Sequence, residues 1–157
     1  MENDIQSLAQ RLDREGQKVS AFFSSLNDSD WSCLVYAEGA WTVHDVLAHL
    51  VTSERGLLRL FEQILQGGAG VPADFSLDGY NASQLEKTRS LTPSELLADY
   101  RRARLATISW LAQRTPAELE RRGRHPFLGE TSLYAMVKLI YLHNQLHLRD
   151  VQKALRG

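Results

Sequence analysis

The sequence predicts an all-α protein, a four-helix bundle with a long crossover between its second and third long helices. Three observations lead there. Apolar residues recur at three- and four-residue steps through four long segments. Capping residues and prolines stand where those segments begin. No stretch shows the apolar–polar alternation of a strand.

The first helix is expected from about residue 4 to 26, its inward face carried by Ile5, Leu8, Leu12, Val19, Phe22, Phe23 and Leu26. Asn27-Asp28-Ser29-Asp30 reads as a turn, followed by a loop that ends near Gly39. Thr42 is the expected N-cap of the second helix, with Asp45 near the positive end of its dipole. The stripe Val43, Val46, Leu47, Leu50, Leu57, Phe61, Ile64 runs on until Gly67-Gly68 stops it. Residues 67–76 read as a loop, and 78–90 as a short helix or an irregular crossover. Thr92-Pro93-Ser94-Glu95 then combines a cap, a proline at the first helical position and a glutamate placed to complete a capping box. The third long helix should reach about Arg114. Thr115-Pro116-Ala117-Glu118 repeats the signal for a short helix, and Thr131 or Ser132 opens the last one, which ends near Leu155. An up-down-up-down order is the simplest arrangement of these helices.

Composition narrows the function. At 157 residues, 43% of them hydrophobic and 24% charged, residues 1–157 read as one globular domain. Lys+Arg 18 against Asp+Glu 19 leaves a formal charge of -1, which argues against nucleic acid and against a polybasic membrane anchor. No apolar run approaches the ~20 residues that span a bilayer. The acidic start Met-Glu-Asn-Asp lacks the basic and apolar regions of a signal peptide. One cysteine, Cys33, can form neither an internal disulfide nor a multi-cysteine zinc knot, so a reducing, cytoplasmic setting is expected.

The five histidines are the better place to look for chemistry. Met136, Ile140, His143, His147 and Val151 fall within an arc of roughly 80° on the last helix. His143 and His147 therefore lie in the apolar stripe, one turn apart. Two imidazoles buried there need partners, and a divalent transition metal would satisfy both. A lone H-x-x-x-H also arises by accident, so metal and plain burial stand as equal alternatives. A third ligand has to come from another helix. His49, at the edge of the second helix's stripe, is the candidate, although periodicity alone makes it a boundary residue. Asp45, one turn earlier, is placed to accept its other ring N–H. His44 is expected to be solvated, and His125, just before Pro126, to be a turn residue or to line a cavity mouth. Glu54 falls on the apolar face of the second helix and needs a partner. An ion pair within the bundle, for instance with Arg104, is one reading, and an acid–base role beside the metal is the other.

The segment Trp41-Thr42-Val43-His44-Asp45-Val46-Leu47-Ala48-His49-Leu50, with His143-Asn144-Gln145-Leu146-His147 far downstream, resembles the DinB-like superfamily of bacterial four-helix bundles. Gly129-Glu130-Thr131-Ser132-Leu133 at the start of the last helix is also similar, and the resemblance covers about residues 5 to 155. It implies that His49, His143 and His147 form a three-histidine site for a divalent metal, zinc or nickel foremost. Members of the family often form homodimers, and relatives include low-molecular-weight thiol transferases and mycothiol-dependent maleylpyruvate isomerases. On the residues, Trp31, Trp110 and Phe127 are candidates for an exposed apolar dimer face, with a monomer carrying ordinary exposed aromatics as the alternative. The family's name, from a DNA-damage-inducible gene, carries no implication of DNA binding.

Three function classes follow. A three-histidine metal with an open position makes an enzyme, either a thiol S-transferase or a hydrolase acting on a small-molecule substrate. Glu54 is then the nearest candidate acid or base, and with Cys33 as the only cysteine the thiol would be exogenous. The same ligands in a closed site make a non-catalytic metal-binding or stress-response protein. Without metal, the histidines are polar groups satisfied inside a structural module.

Overall fold

A computed structural model of the chain describes residues 2–157; Met1, the first residue of the acidic start, lies outside them. Four long helices form the bundle: α1 (Glu2–Ser24), α2 (Val43–Leu65), α4 (Pro93–Ala112) and α6 (Leu133–Leu155). The shorter α3 (Leu77–Thr88) and α5 (Pro116–Leu119) lie in the connections. Side chains set most of the starts. Thr42 Oγ1 accepts from Asp45 N and Asp45 Oδ2 accepts from Thr42 N at 2.9 Å, a reciprocal cap that opens α2. Thr115 and Glu118 do the same for α5, and Ser132 caps α6 through Ala135 N. Thr92 caps α4 through Glu95 N at 3.1 Å, but the Glu95 side chain does not return the bond, so the expected box there is half made.

Two antiparallel hairpins replace the loops expected from the sequence: β1 (Leu34–Tyr36) with β2 (Trp41–Thr42), and β3 (Arg122–His125) with β4 (Gly129–Ser132). Strands this short cannot display alternation, and they are held by backbone bonds to their neighbours. Val43 N donates to Cys33 O, Leu133 N donates to Arg121 O, and the chain at Ala69–Val71 pairs with Arg124 on both sides. The first hairpin turns through Gly39 at φ +83, where a Cβ would also press on the Trp41 indole at 3.1 Å. The turn expected at Asn27 becomes a 3-10 helix (Asp28–Ser32) capped by Asn27.

The order of the helices differs from the expected up-down-up-down. Along α1 and α4, Leu12 meets Arg104 while Ser20 and Ser24 meet Arg101, so these two run antiparallel. Along α2 and α4, Glu54 meets Arg104 and Glu62 meets Trp110, so these two run parallel. Arg11 lies over Tyr141, and the lower and upper core clusters pair the starts and ends of α1 and α6, which makes them parallel. The bundle is therefore up-down-down-up, with α1 and α2 packed against α4 and α6. The crossover over residues 66–92 makes this possible. Its helix α3 returns along α2, from Tyr80 beside Gly56 to Leu91 beside His44, and delivers α4 to the end where α2 began.

The core divides into two apolar clusters. One gathers Val19, Phe23, Val46, Leu50, Leu96 and Val151, the other Leu12, Phe61, Ile64, Leu111, Met136 and Ile140. Trp31 and Trp110 belong to these clusters, and Trp110 donates its indole N–H to Glu62 Oε1. Of the three residues expected to offer a dimer face, only Phe127 is exposed, at 74%, with Leu142 and Leu146 on α6 also open to solvent.

Between the clusters lies a buried polar knot. Arg104 donates from Nε to Glu54 Oε1 at 2.6 Å, from Nη1 to Leu12 O at 2.7 Å and from Nη2 to Asn144 Oδ1 at 3.1 Å. Tyr100 donates to the same Asn144 oxygen, and Asn144 Nδ2 donates to Ile140 O. Burial works against the Arg104 charge, but Glu54 and Tyr100 outweigh it and hold its pKa above the ordinary value. Gly16 makes room: a Cβ there would lie 2.9 Å from Arg104 Nη1. Replacing Arg104 with alanine should strand the Glu54 carboxylate and cost about 3–5 kcal/mol in urea denaturation. The paired change Glu54→Leu with Arg104→Met should cost less than Arg104→Ala alone, and an additive loss would contradict a coupled pair.

Candidate metal centre

The histidine pair of α6 comes to the bundle interior as its spacing predicts, and α2 brings His49 against it. His49 Nε2 lies 3.0 Å from His143 Nε2, and His147 Nε2 lies 2.9 Å from the same atom. The three rings meet nearly edge to face, with centroids 4.4–4.9 Å apart. They are the one group of three or more metal-ligating side chains found among the described residues. His49 is 6% exposed, while His143 and His147 are half-buried, so the cluster opens toward solvent on the α6 side.

The other ring nitrogens show what the Nε2 atoms are for. His49 Nδ1 faces Ser53 Oγ at 3.2 Å, and His147 Nδ1 faces Tyr36 Oη at 2.8 Å, with Tyr36 donating its own proton to Asp150 Oδ2. Burial, and then Asp150, raise the Tyr36 pKa, so the phenol stays protonated and the chain of donors runs His147 to Tyr36 to Asp150. With His147 Nδ1 donating outward, its Nε2 lone pair points into the cluster, and Ser53 Oγ is placed to accept from His49 Nδ1 in the same way. A tetrahedral ion with bonds of about 2.0–2.1 Å would set its nitrogens roughly 3.3 Å apart, a few tenths of an ångström more than the two separations at His143 Nε2. The donor set fits a divalent metal with an open coordination position.

Several sequence expectations land elsewhere. Asp45 does not support His49, because its Oδ2 already accepts from Thr42 N and Oγ1; Ser53, one turn on rather than one turn back, takes that place. Glu54 pairs with Arg104 and makes no hydrogen bond to the histidines. Five residues beyond His49, it is turned by about 140° around α2. His44 is half-buried rather than solvated and donates from Nε2 to Leu91 O at 2.7 Å. His125 is not a loop residue but the end of β3, 5% exposed.

The sequence pattern assigns no role to Tyr36, Ser53 or Asp150, while Trp41, which opens the segment that carries the family resemblance, packs its ring 5.0 Å from that of His49. The positions of Ser53 and Asp150, four and three residues after their histidines, were a usable signal. Tyr36 sits on a strand that carries none.

Burial, reinforced by the neighbouring rings, pushes His49 down to about 2 and His143 down to about 3. Burial also lowers His147, against the pull of Asp150. The cluster is thus neutral and ready for a metal at neutral pH. The unfolded chain takes up protons on His49 and His143 below pH about 6.5, whereas in the folded, metal-free protein these two rings do not until about pH 3. Stability contributed by the neutral rings is therefore present above pH 6.5 and is lost as pH falls toward 3. The melting temperature of chelator-treated protein should drop across that window, with a shallower drop for His49→Gln; equal slopes would contradict the buried neutral state.

The chain matches the DinB superfamily over residues 5–151. None of the curated proteins matches it. Among solved structures, YfiT from Bacillus subtilis, described as a probable metal-dependent hydrolase with an unusual four-helix bundle topology, is 21% identical with a TM-score of 0.79, covering 97% of this chain and 86% of its own. The four-helix bundle protein TT2238 is also 21% identical, with a TM-score of 0.69 and coverage of 95% and 98%. A mycothiol-dependent maleylpyruvate isomerase is 11% identical with a TM-score of 0.76, and the match covers 94% of this chain but 60% of the isomerase. A further neighbour, the colibactin self-resistance protein ClbS, 13% identical with a TM-score of 0.72 over 95% of each chain, was solved with double-stranded DNA. At these identities the likeness is one of fold. The family match spans nearly all of the sequence, and the chain belongs to the DinB superfamily.

Proposed function

We propose that the protein is a metal-dependent enzyme that transfers an exogenous low-molecular-weight thiol to an electrophilic small molecule, with His49, His143 and His147 as metal ligands. The observation that carries this reading is the convergence of three Nε2 atoms whose partner nitrogens, at His49 and His147, are turned outward to Ser53 and Tyr36. When bound, zinc or nickel would act as a Lewis acid that holds a thiol as thiolate or draws the pKa of water toward ~7.

The rest is the work of the chain. Ser53 fixes the orientation of the His49 ring, and the Tyr36–Asp150 pair fixes His147 and makes it a stronger donor. Trp41 packs its ring against that of His49. Transfer forms the bond between the thiol sulfur and an electrophilic carbon as the bond from that carbon to its leaving group breaks; the leaving group departs with the electron pair, and the thiol proton passes to it or to solvent. A thiol needs less help than water in losing that proton. That favours it here, because Glu54 is committed to Arg104 and Asp150 reaches the cluster only through Tyr36. Cys33 is not the nucleophile: its Sγ lies by Ala154 O, seven residues and about 10 Å along α6 from His147. Hydrolysis is the second reading, favoured by the description of YfiT, and non-catalytic metal binding is the third.

Untagged protein should carry about one equivalent of divalent metal by elemental analysis, and His143→Ala with His147→Ala should carry none. Metal-loaded protein should consume glutathione, bacillithiol or mycothiol against a model electrophile. Cleavage of a nitrophenyl ester without thiol would favour the hydrolase, and no turnover of either kind the binding protein. Thiol transfer that survives the double histidine variant would overturn the reading. Tyr36→Phe should weaken metal affinity about 10- to 100-fold, measured by chelator competition.

A further inference from the structure

Three buried side-chain atoms have no hydrogen-bond partner among the described residues: Glu54 Oε2, Tyr80 Oη and His125 Nε2. Of these, His125 Nε2 belongs to an imidazole. Its other ring nitrogen is committed: Nδ1 accepts from Phe127 N and from Leu128 N, each at 3.0 Å. A nitrogen that accepts two backbone N–H bonds carries no proton, so in the neutral ring the proton sits on Nε2. Burial pushes the ring down to about 4, which keeps it neutral at physiological pH. The result is an N–H donor in a single tautomer, left without an acceptor at a position where desolvating it costs free energy.

The surroundings say what the acceptor serves. The strand β3 packs against α6, and the His125 ring is near enough to His143 for the two imidazoles to interact electrostatically. The backbone around the ring is pinned on both sides, by the β3–β4 ladder and by the crossover at Ala69–Val71, which bonds to Arg124 N and O. A donor held this rigidly costs little reorganisation when an oxygen arrives.

We propose that His125 is a fixed hydrogen-bond donor of the metal centre, its Nε2–H taking a carbonyl or carboxylate oxygen of the electrophile on which the metal-held nucleophile acts. This rests on the metal reading of the three-histidine cluster. It adds a substrate class, electrophiles that bear an oxygen beside the carbon attacked, and it makes His125 a binding residue rather than a fourth ligand.

Two variants separate the functions of the ring. His125→Asn keeps an acceptor for the turn at Phe127 and Leu128 and removes the Nε2–H, while His125→Gln returns a donor at the reach of Nε2. In metal-free protein, nitrogen NMR should find the His125 proton on Nε2; a proton on Nδ1 overturns the proposal without reference to any metal. In cobalt-loaded protein, acetate titration followed by the visible bands should show His125→Asn weakened roughly ten- to hundredfold, the range of a hydrogen bond to a charged group. His125→Gln should recover part of that, and cobalt affinity should be the same in all three proteins. Equal acetate affinity in wild type and His125→Asn overturns this inference alone. A drop in cobalt affinity in the variant overturns it by making His125 a ligand. If wild-type protein shows no cobalt bands, the metal reading falls and this inference falls with it.

Discussion

The Arg104 guanidinium is the constraint on which the rest of the bundle depends. It spends its donors on three other helices: a carboxylate of α2, a backbone carbonyl of α1 and an amide oxygen of α6. An ion pair this deeply buried adds little net stability over a well-packed apolar layer. It does add selectivity. Each partner is a single atom at one height along its helix, so sliding any helix by a turn would leave a charge or a carbonyl unpaired in the interior. The parallel run of α2 and α4, which no short loop can make, is held in register by that contact.

Register in the knot sets geometry at the metal centre. Asn144 is bound to Arg104 and Tyr100, and the residue before it is His143. Glu54 is bound to the same guanidinium, and the residue before it is Ser53, the partner of His49. The two helices that carry the three histidines are thus fixed to one arginine within a residue of those histidines or their supports. Converging nitrogens tolerate errors of only a few tenths of an ångström, so a rigid polar anchor next to the site is worth its desolvation cost.

The two hairpins finish the site from outside the bundle. The first brings Tyr36 and Trp41 onto His147 and His49, and the second brings His125 toward His143. Both are short, and both run straight into a capped helix: Thr42 ends β2 and caps α2, while Ser132 ends β4 and caps α6. The helix start thereby fixes where the hairpin lies.

Local interactions explain what could be read without coordinates. Helices with a 3.6-residue stripe and a Ser or Thr cap announce themselves within a dozen residues, so all four long helices and the inward placement of His143 and His147 were legible, as was the Thr42–Asp45 cap. His49 was legible as the third member of the cluster only through family resemblance, since periodicity left it at a boundary. Glu54 could be seen to need a partner, but not to find it in Arg104, because that choice depends on which helix lies across the core. The same is true of the up-down-down-up order and of Tyr36 reaching the cluster from a strand too short to carry a pattern. The sequence by itself determined the helices, their caps and the pair of imidazoles on one face, because each is decided by neighbours three or four residues away. Only the tertiary structure decided which polar groups meet, because those meetings join residues 40 to more than 100 positions apart and depend on how whole helices are stacked.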